Sequence, residues 1–243
     1  MDTLWRRPGL RGRILYTALA AVAAALVSIV CHLSITRGTR RLPDGPVILV
    51  ANHTSFADGL ILALTARRLG RPVRMLATAG VFAHPVLGPV LRRLAFIPVH
   101  RGTAQAQDSL RPAAEALRVG ETVGLFPEGR LTRDPGQWPE RAKTGAVRLA
   151  LQTGAPVVPI AIDGAHRLAG RDRPALSLLR SLLVLPRVRV VVGEPIQINA
   201  LTGPYAHDHT VRWASDVMMG RLVDLLEELR GEEAAGNHLT PAA

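Results

Sequence analysis

Val47-Ile48-Leu49-Val50-Ala51-Asn52-His53-Thr54-Ser55-Phe56-Ala57-Asp58 changes its rhythm halfway along. The first five residues form an unbroken, largely β-branched apolar run behind the Pro43-Asp44-Gly45-Pro46 breaker, the pattern of a strand buried on both faces. From Phe56 the apolar residues recur at helical spacing as far as position 69, and Gly70 follows where a helix-terminating glycine belongs. A buried strand feeding a helix is the repeating unit of an α/β domain, which predicts a mixed sheet flanked by helices.

The same alternation continues down the chain. Short β-branched runs predict strands at 73–77, 95–99, 123–126, 157–162 and 188–192. Helical spacing predicts helices at 104–119, 141–153 and 211–230, the first two closed by Gly120 and Gly154. No internal repeat or low-complexity linker interrupts 42–230, which reads as one domain. The small, polar tail 231–243 is expected to fray.

With 243 residues, 48% of them hydrophobic and 20% charged, the chain can bury a core without disulfides or metals. Thirty basic residues against 19 acidic give a net charge of +11, and Lys143 is the only lysine. This arginine excess fits either arginine-rich coding or attraction to anionic phosphates. Aromatic residues reach only 4%, too few for base-stacking platforms, so no nucleic-acid partner is expected. The lone cysteine, Cys31, excludes an intrachain disulfide and a cysteine-based zinc site.

Cys31 ends an uncharged run, 14–31, whose length as a helix is roughly 27 Å, close to a bilayer's hydrocarbon thickness. Six of these residues are alanine, so the run either just spans or lies in the interface. Segment 1–41 is therefore expected to be a membrane-associated anchor. Its small-residue pairs lie mid-run, a poor placement for signal-peptide cleavage. Arginines flank it on both sides, at Arg6, Arg7, Arg11 and Arg13 and again at Arg37, Arg40 and Arg41, so charge does not set an orientation.

His53 and Asp58 lie five residues apart at the strand-to-helix junction, where α/β sheets carry their sites. With His53 before the helix and Asp58 in its first turn, the carboxylate can hold one ring nitrogen and leave the other as a free base. A lone histidine in such a loop also serves simply as a cap. Further on, Phe126-Pro127-Glu128-Gly129-Arg130 leaves another strand with an acceptor, a close-approach glycine and a fixed cation, or forms a plain surface turn. Between them Phe96-Ile97-Pro98-Val99-His100-Arg101-Gly102 runs a strand into a charged residue and a glycine.

In this order, these blocks and Val157-Val158-Pro159-Ile160-Ala161-Ile162 resemble the glycerolipid acyltransferase family typified by 1-acylglycerol-3-phosphate acyltransferases, from about position 47 to 198. Lys143-Thr144-Gly145-Ala146 and Gly193-Glu194-Pro195-Ile196 are also similar to family motifs. The resemblance implies transfer of a fatty acyl group from acyl-CoA or acyl-carrier protein to a hydroxyl of lysophosphatidic acid or a related glycerophospholipid. His53 would be the general base and Asp58 its partner, with no acyl-enzyme, metal or cofactor beyond the thioester. It places the acceptor's phosphate near Arg101 and its glycerol near Glu128, Gly129 and Arg130. Where the family has Thr-Arg-Ser after the glycine, this chain has Arg130-Leu131-Thr132-Arg133, and Arg130 is taken as the matching cation. Membrane lipids and the thioester donor are the implied partners, with the active site facing the cytoplasm. Two other readings stand beside this one. A hydrolase would use the same histidine, although no Gly-x-Ser-x-Gly elbow is present. A non-catalytic module would hold the membrane surface through the N-terminal run and the apolar stretches at 81–94 and 176–185.

Overall fold

A computed structural model describes residues 10–37, 42–100, 110–203 and 207–238. In chain order the elements are α1 (Leu10–Val30), β1 (His32–Arg37), β2 (Val47–Ala51), α2 (Asp58–Arg68), β3 (Val73–Thr78), a 3-10 turn (Ala79–Ala83), α3 (Leu87–Arg93), β4 (Ile97–Val99), α4 (Arg111–Arg118) and β5 (Thr122–Leu125). They continue with α5 (Gly145–Thr153), β6 (Val157–Asp163), α6 (His166–Ala169), α7 (Pro174–Val184), β7 (Arg187–Val192), α8 (Ile198–Thr202) and α9 (Asp208–His238).

The strands form one seven-stranded sheet in the order β1-β7-β6-β2-β5-β3-β4. All neighbours are parallel except β6 and β7, so the expected mixed α/β sheet is present. β2 lies in the middle with every residue buried, as its unbroken apolar run requires. Its side chains alternate between two cores. Ile48 and Val50 pack toward α4, α5 and α9, whereas Val47, Leu49 and Ala51 pack toward α1, α2 and α6.

The register Val50↔Leu125 brings the carboxyl ends of β2 and β5 level. The loop carrying His53 and the loop carrying Glu128 therefore leave the sheet side by side, although the two residues are 75 positions apart.

Several elements depart from expectation, among them α5, which starts at Gly145 rather than at 141, and the helix α7. Residues 32–37, read as part of the anchor, form β1, an edge strand of the sheet. Leu33 and Ile35 face the core while His32, Ser34 and Thr36 face solvent, a period-two pattern overshadowed in the sequence by the apolar run before it. The fourth strand starts at Ile97, because Ala95 takes a left-handed backbone (φ 55°) in the preceding turn. The last helix continues to His238, into the stretch read as tail. α1 covers the expected N-terminal run, but among the described residues no helix is long and apolar enough to cross a membrane.

Candidate functional site

β2 ends at Ala51, and the next residue locks the loop that follows. Asn52 is fully buried, donating through its side-chain amide to the Ile162 carbonyl (2.8 Å) and accepting from the Ile162 N–H (2.8 Å). The side chain thus replaces one rung of the ladder where β2 leaves β6. An asparagine at a strand end is the only trace of this clamp along the chain.

Asp58 opens α2, where the positive end of the helix dipole favours a carboxylate. Its Oδ2 accepts from the backbone N–H of Thr54 (2.6 Å) and of Ser55 (2.7 Å) and lies 3.0 Å from His53 Nδ1. Complete burial pushes the Asp58 carboxyl up, against the pull of the His53 hydrogen bond and charge and of the two amides. The expected pair is therefore assembled. The contact fixes Nδ1 of His53 as the end facing Asp58, so Nε2 points away from it and carries no hydrogen bond among the described residues. The ring stacks on Phe126 with centroids 4.0 Å apart and 12° between planes. An apolar face against one side of the imidazole fixes its swing, and the side chain remains 16% exposed.

Glu128, expected beside the acceptor's glycerol, sits under His53. One carboxylate oxygen accepts from the His53 N–H (3.0 Å) and the other from the Glu140 N–H (2.9 Å). The His53 carbonyl in turn accepts from the Thr132 N–H (2.7 Å). Both main-chain groups of His53 are thereby held by the loop that follows β5. Burial pushes Glu128 up to about 7, helped by the neighbouring Glu140 and Asp58 charges and opposed by the two amide hydrogen bonds.

Arg130 is engaged by an internal anion. Its Nε and Nη2 both reach Glu140 Oε2, at 2.9 and 2.5 Å, and this guanidinium holds the Glu140 carboxyl below the usual range. Gly129 has φ 72°, and a Cβ there would lie 3.1–3.3 Å from the Lys143 side chain. The close approach that this glycine permits is that of Lys143. Lys143 was not among the expected site residues. Its ammonium has no ion pair or hydrogen bond among the described residues. It borders a small cavity of about 110 Å³ beside Phe126, walled by Leu76, Val99 and Leu125. Arg101 lies outside the described residues.

Ser55 is no nucleophile in this arrangement. Its buried hydroxyl donates to the Ala169 carbonyl (3.0 Å) and accepts from the Ala57 N–H (3.0 Å), forming the turn into α2. Among the described residues no cluster of three or more His, Cys, Asp or Glu could hold a metal ion. The arrangement can remove a proton from a group brought to His53 Nε2 and stabilise the resulting imidazolium.

A sequence profile described as "Acyltransferase" matches residues 34–163. The chain is 33% identical over 163 residues to the chloroplastic 1-acyl-sn-glycerol-3-phosphate acyltransferase BAT2 of Brassica napus, covering 66% of this chain and 44% of that one. It is 32% identical over 164 residues to the chloroplastic LPAT1 enzyme of the same description from Arabidopsis thaliana, covering 65% and 42%. The chain thus matches less than half the length of either relative. The crystal structure of the 1-acyl-sn-glycerophosphate (LPA) acyltransferase PlsC from Thermotoga maritima superimposes with a TM-score of 0.64 at 21% identity, covering 90% of this chain and 83% of that one. This likeness is one of fold.

Proposed function

The chain belongs to the acyltransferase family, and on that premise we propose that it moves a fatty acyl group from acyl-CoA or acyl-carrier protein to a hydroxyl of lysophosphatidic acid or a related glycerophospholipid. The observation carrying this reading is the 3.0 Å contact between His53 Nδ1 and Asp58 Oδ2, which leaves Nε2, just past the end of β2, without a partner among the described residues. In the proposed step the acceptor hydroxyl gives its proton to Nε2 as its oxygen attacks the thioester carbonyl. Asp58 stabilises the imidazolium. The tetrahedral intermediate collapses, the carbon–sulfur bond breaks, and the imidazolium returns the proton to the departing thiolate. The product is an ester and a free thiol. The acceptor oxygen is itself the nucleophile, so the step forms no acyl-enzyme and uses no metal or cofactor beyond the thioester.

Membrane association belongs to the same proposal. Val22, Leu26 and Ile29 expose one face of α1, and α7, packed beside it, exposes Leu176, Leu179, Leu182 and Leu183. An adjoining pair of apolar helix faces suits an enzyme whose acceptor resides in a lipid surface. In this proposal the site opens on the cytoplasmic side, where the donor thioester is found.

The test is an assay of the purified protein with a labelled acyl thioester against a panel of lysophospholipids and glycerol phosphate, with mass identification of the product. His53→Ala and Asp58→Asn are each expected to lower turnover by about 10²–10⁴-fold while retaining the folded spectrum. Near-normal turnover in both variants would remove the mechanism. Thioester loss at the same rate without any acceptor would favour a hydrolase.

A further inference from the structure

Between β5 and α5 the chain runs from 126 to 144 without helix or strand. A stretch of that length in a compact domain needs support from elsewhere to keep one conformation, because no ladder pairs its backbone groups. Part of the support is internal. The Thr132 hydroxyl donates to the Trp138 carbonyl (2.7 Å) and accepts from the Asp134 N–H (3.2 Å). Asp134 accepts from the Gln137 N–H through its carbonyl (3.0 Å) and from the Trp138 N–H through its carboxylate (3.1 Å). Residues 132–138 thus close into one turn, and it is this turn that donates the Thr132 N–H to the His53 carbonyl.

Arg230 holds the turn from outside. It follows the buried Leu229 on α9 and reaches three groups at once. Nε donates to Asp163 Oδ1 (3.1 Å), Nη1 to the Gly136 carbonyl (3.1 Å) and Nη2 to the Gln137 carbonyl (3.3 Å), while the guanidinium carbon lies 4.2 Å from the centre of the Trp138 ring. Asp163 ends β6 and also accepts from Arg189 of β7 (3.2 Å), so its charge is already matched without Arg230. It directly follows Ile162, the residue that Asn52 clamps where the His53 loop begins. Neutralising Asp163 would not require the other two nitrogens to rest on carbonyls 94 and 93 positions away, whereas a planar fork of donors meets all three acceptors together.

We propose that Arg230 is a positioning residue of the reaction: through the 132–138 turn it sets where the His53 main chain, and with it Nε2, meets the acceptor hydroxyl. A misplacement of about 1 Å at a reacting group can cost on the order of 10²-fold in rate, so a link of this kind reaches the chemistry without touching it. Its kinetic consequence rests on the acyl-transfer reading, while the mechanical link between Arg230 and the turn does not.

Steady-state kinetics with an acyl-CoA and lysophosphatidic acid, together with hydrogen exchange read by mass spectrometry and urea unfolding, test it on the full chain. Arg230→Gln is expected to lower kcat about tenfold, with both KM values within about twofold of wild type, and to speed exchange across 130–138. Arg230→Lys keeps a cation beside Asp163 but lacks the fork, so it should retain the unfolding free energy and not kcat. Thr132→Val cuts the same path at the hydroxyl, and the double variant Arg230→Gln/Thr132→Val should be no slower than the slower single variant. Arg221→Gln, an equal charge loss on an exposed part of α9, should alter neither kcat nor exchange. Should Arg230→Gln unfold, Arg230→Lys alone and combined with Thr132→Val makes the same comparison. Full kcat in Arg230→Lys, multiplied losses in the double variant, a rise in acceptor KM as large as the fall in kcat, or unaltered exchange in the turn would each overturn the proposal. Absence of transfer by the wild-type protein would instead reject the acyl-transfer reading, and exchange across 130–138 and the His53 loop would still decide whether Arg230 holds them.

Discussion

At the scale of single residues, the imidazole of His53 is held by groups from both sides of the chain. Asp58 steadies the ring locally, and Glu128 fixes the backbone from beneath. Glu128 is thus a positioning residue, because both its oxygens are occupied by main-chain N–H groups. Replacing it with glutamine turns an NH₂ donor toward one of those N–H donors. Glu128→Gln is expected to lower kcat about tenfold with little change in acceptor KM, as steady-state kinetics would show. A pH effect accompanies it. The folded state raises Glu128 from 4.5 to about 7, so it binds the proton more tightly than the unfolded chain does. That contribution to stability is complete below pH 4.5 and is lost as pH rises through about 7. Thermal melts should show the wild-type midpoint falling relative to Glu128→Gln across that window. A constant offset would reject the assignment.

Lys143 belongs at the same scale. It lies over Gly129 beside the Phe126 cavity, while Arg130 is occupied by Glu140. The ammonium is therefore the open cation nearest this wall among the described residues flanking it. A hydrogen bond to a charged group is worth about 1.5–3 kcal/mol, so Lys143→Met should raise the KM of a phosphate-bearing acceptor by about tenfold or more. A neutral monoacylglycerol should be unaffected, and Lys143→Arg should restore most of the loss. An equal effect on charged and neutral acceptors would show that Lys143 only packs.

At the scale of elements, the site depends on how β2 leaves the sheet. Asn52 ties that exit to β6 through both polar groups of one side chain. Asn52→Ala leaves the N–H and C=O of Ile162 without these partners in a buried place. The expected cost is about 2–4 kcal/mol in urea unfolding, with turnover reduced because the His53 loop starts there. Loss of turnover at unchanged stability would mean that Asn52 acts on the substrate instead. Secondary structure follows the same logic of local signals. The unbroken run of β2 and the helical period of α2 are both legible, whereas β1 has four polar residues in six and adjoins a longer apolar run. An edge strand with one solvated face carries a weaker pattern than a central one.

At the scale of the molecule, the two ends of the sheet have different characters. The carboxyl ends of β2 and β5 gather buried carboxylates around one imidazole, whereas Arg71 and Arg74 flank the amino ends of β3 and β5. The net charge of +11 is visible in composition, but which arginines converge is not. The alternation of strand and helix, the His53–Asp58 pair and the family were all readable along the chain, because each rests on residues close in sequence or on ordered motifs. Glu128 beneath His53, Arg130 on Glu140, Lys143 over Gly129, and Arg230 on the Gly136 and Gln137 carbonyls were decided by the fold. Periodicity encodes what each segment becomes. Strand order and register determine which segment ends meet, and those arise only when the whole sheet assembles.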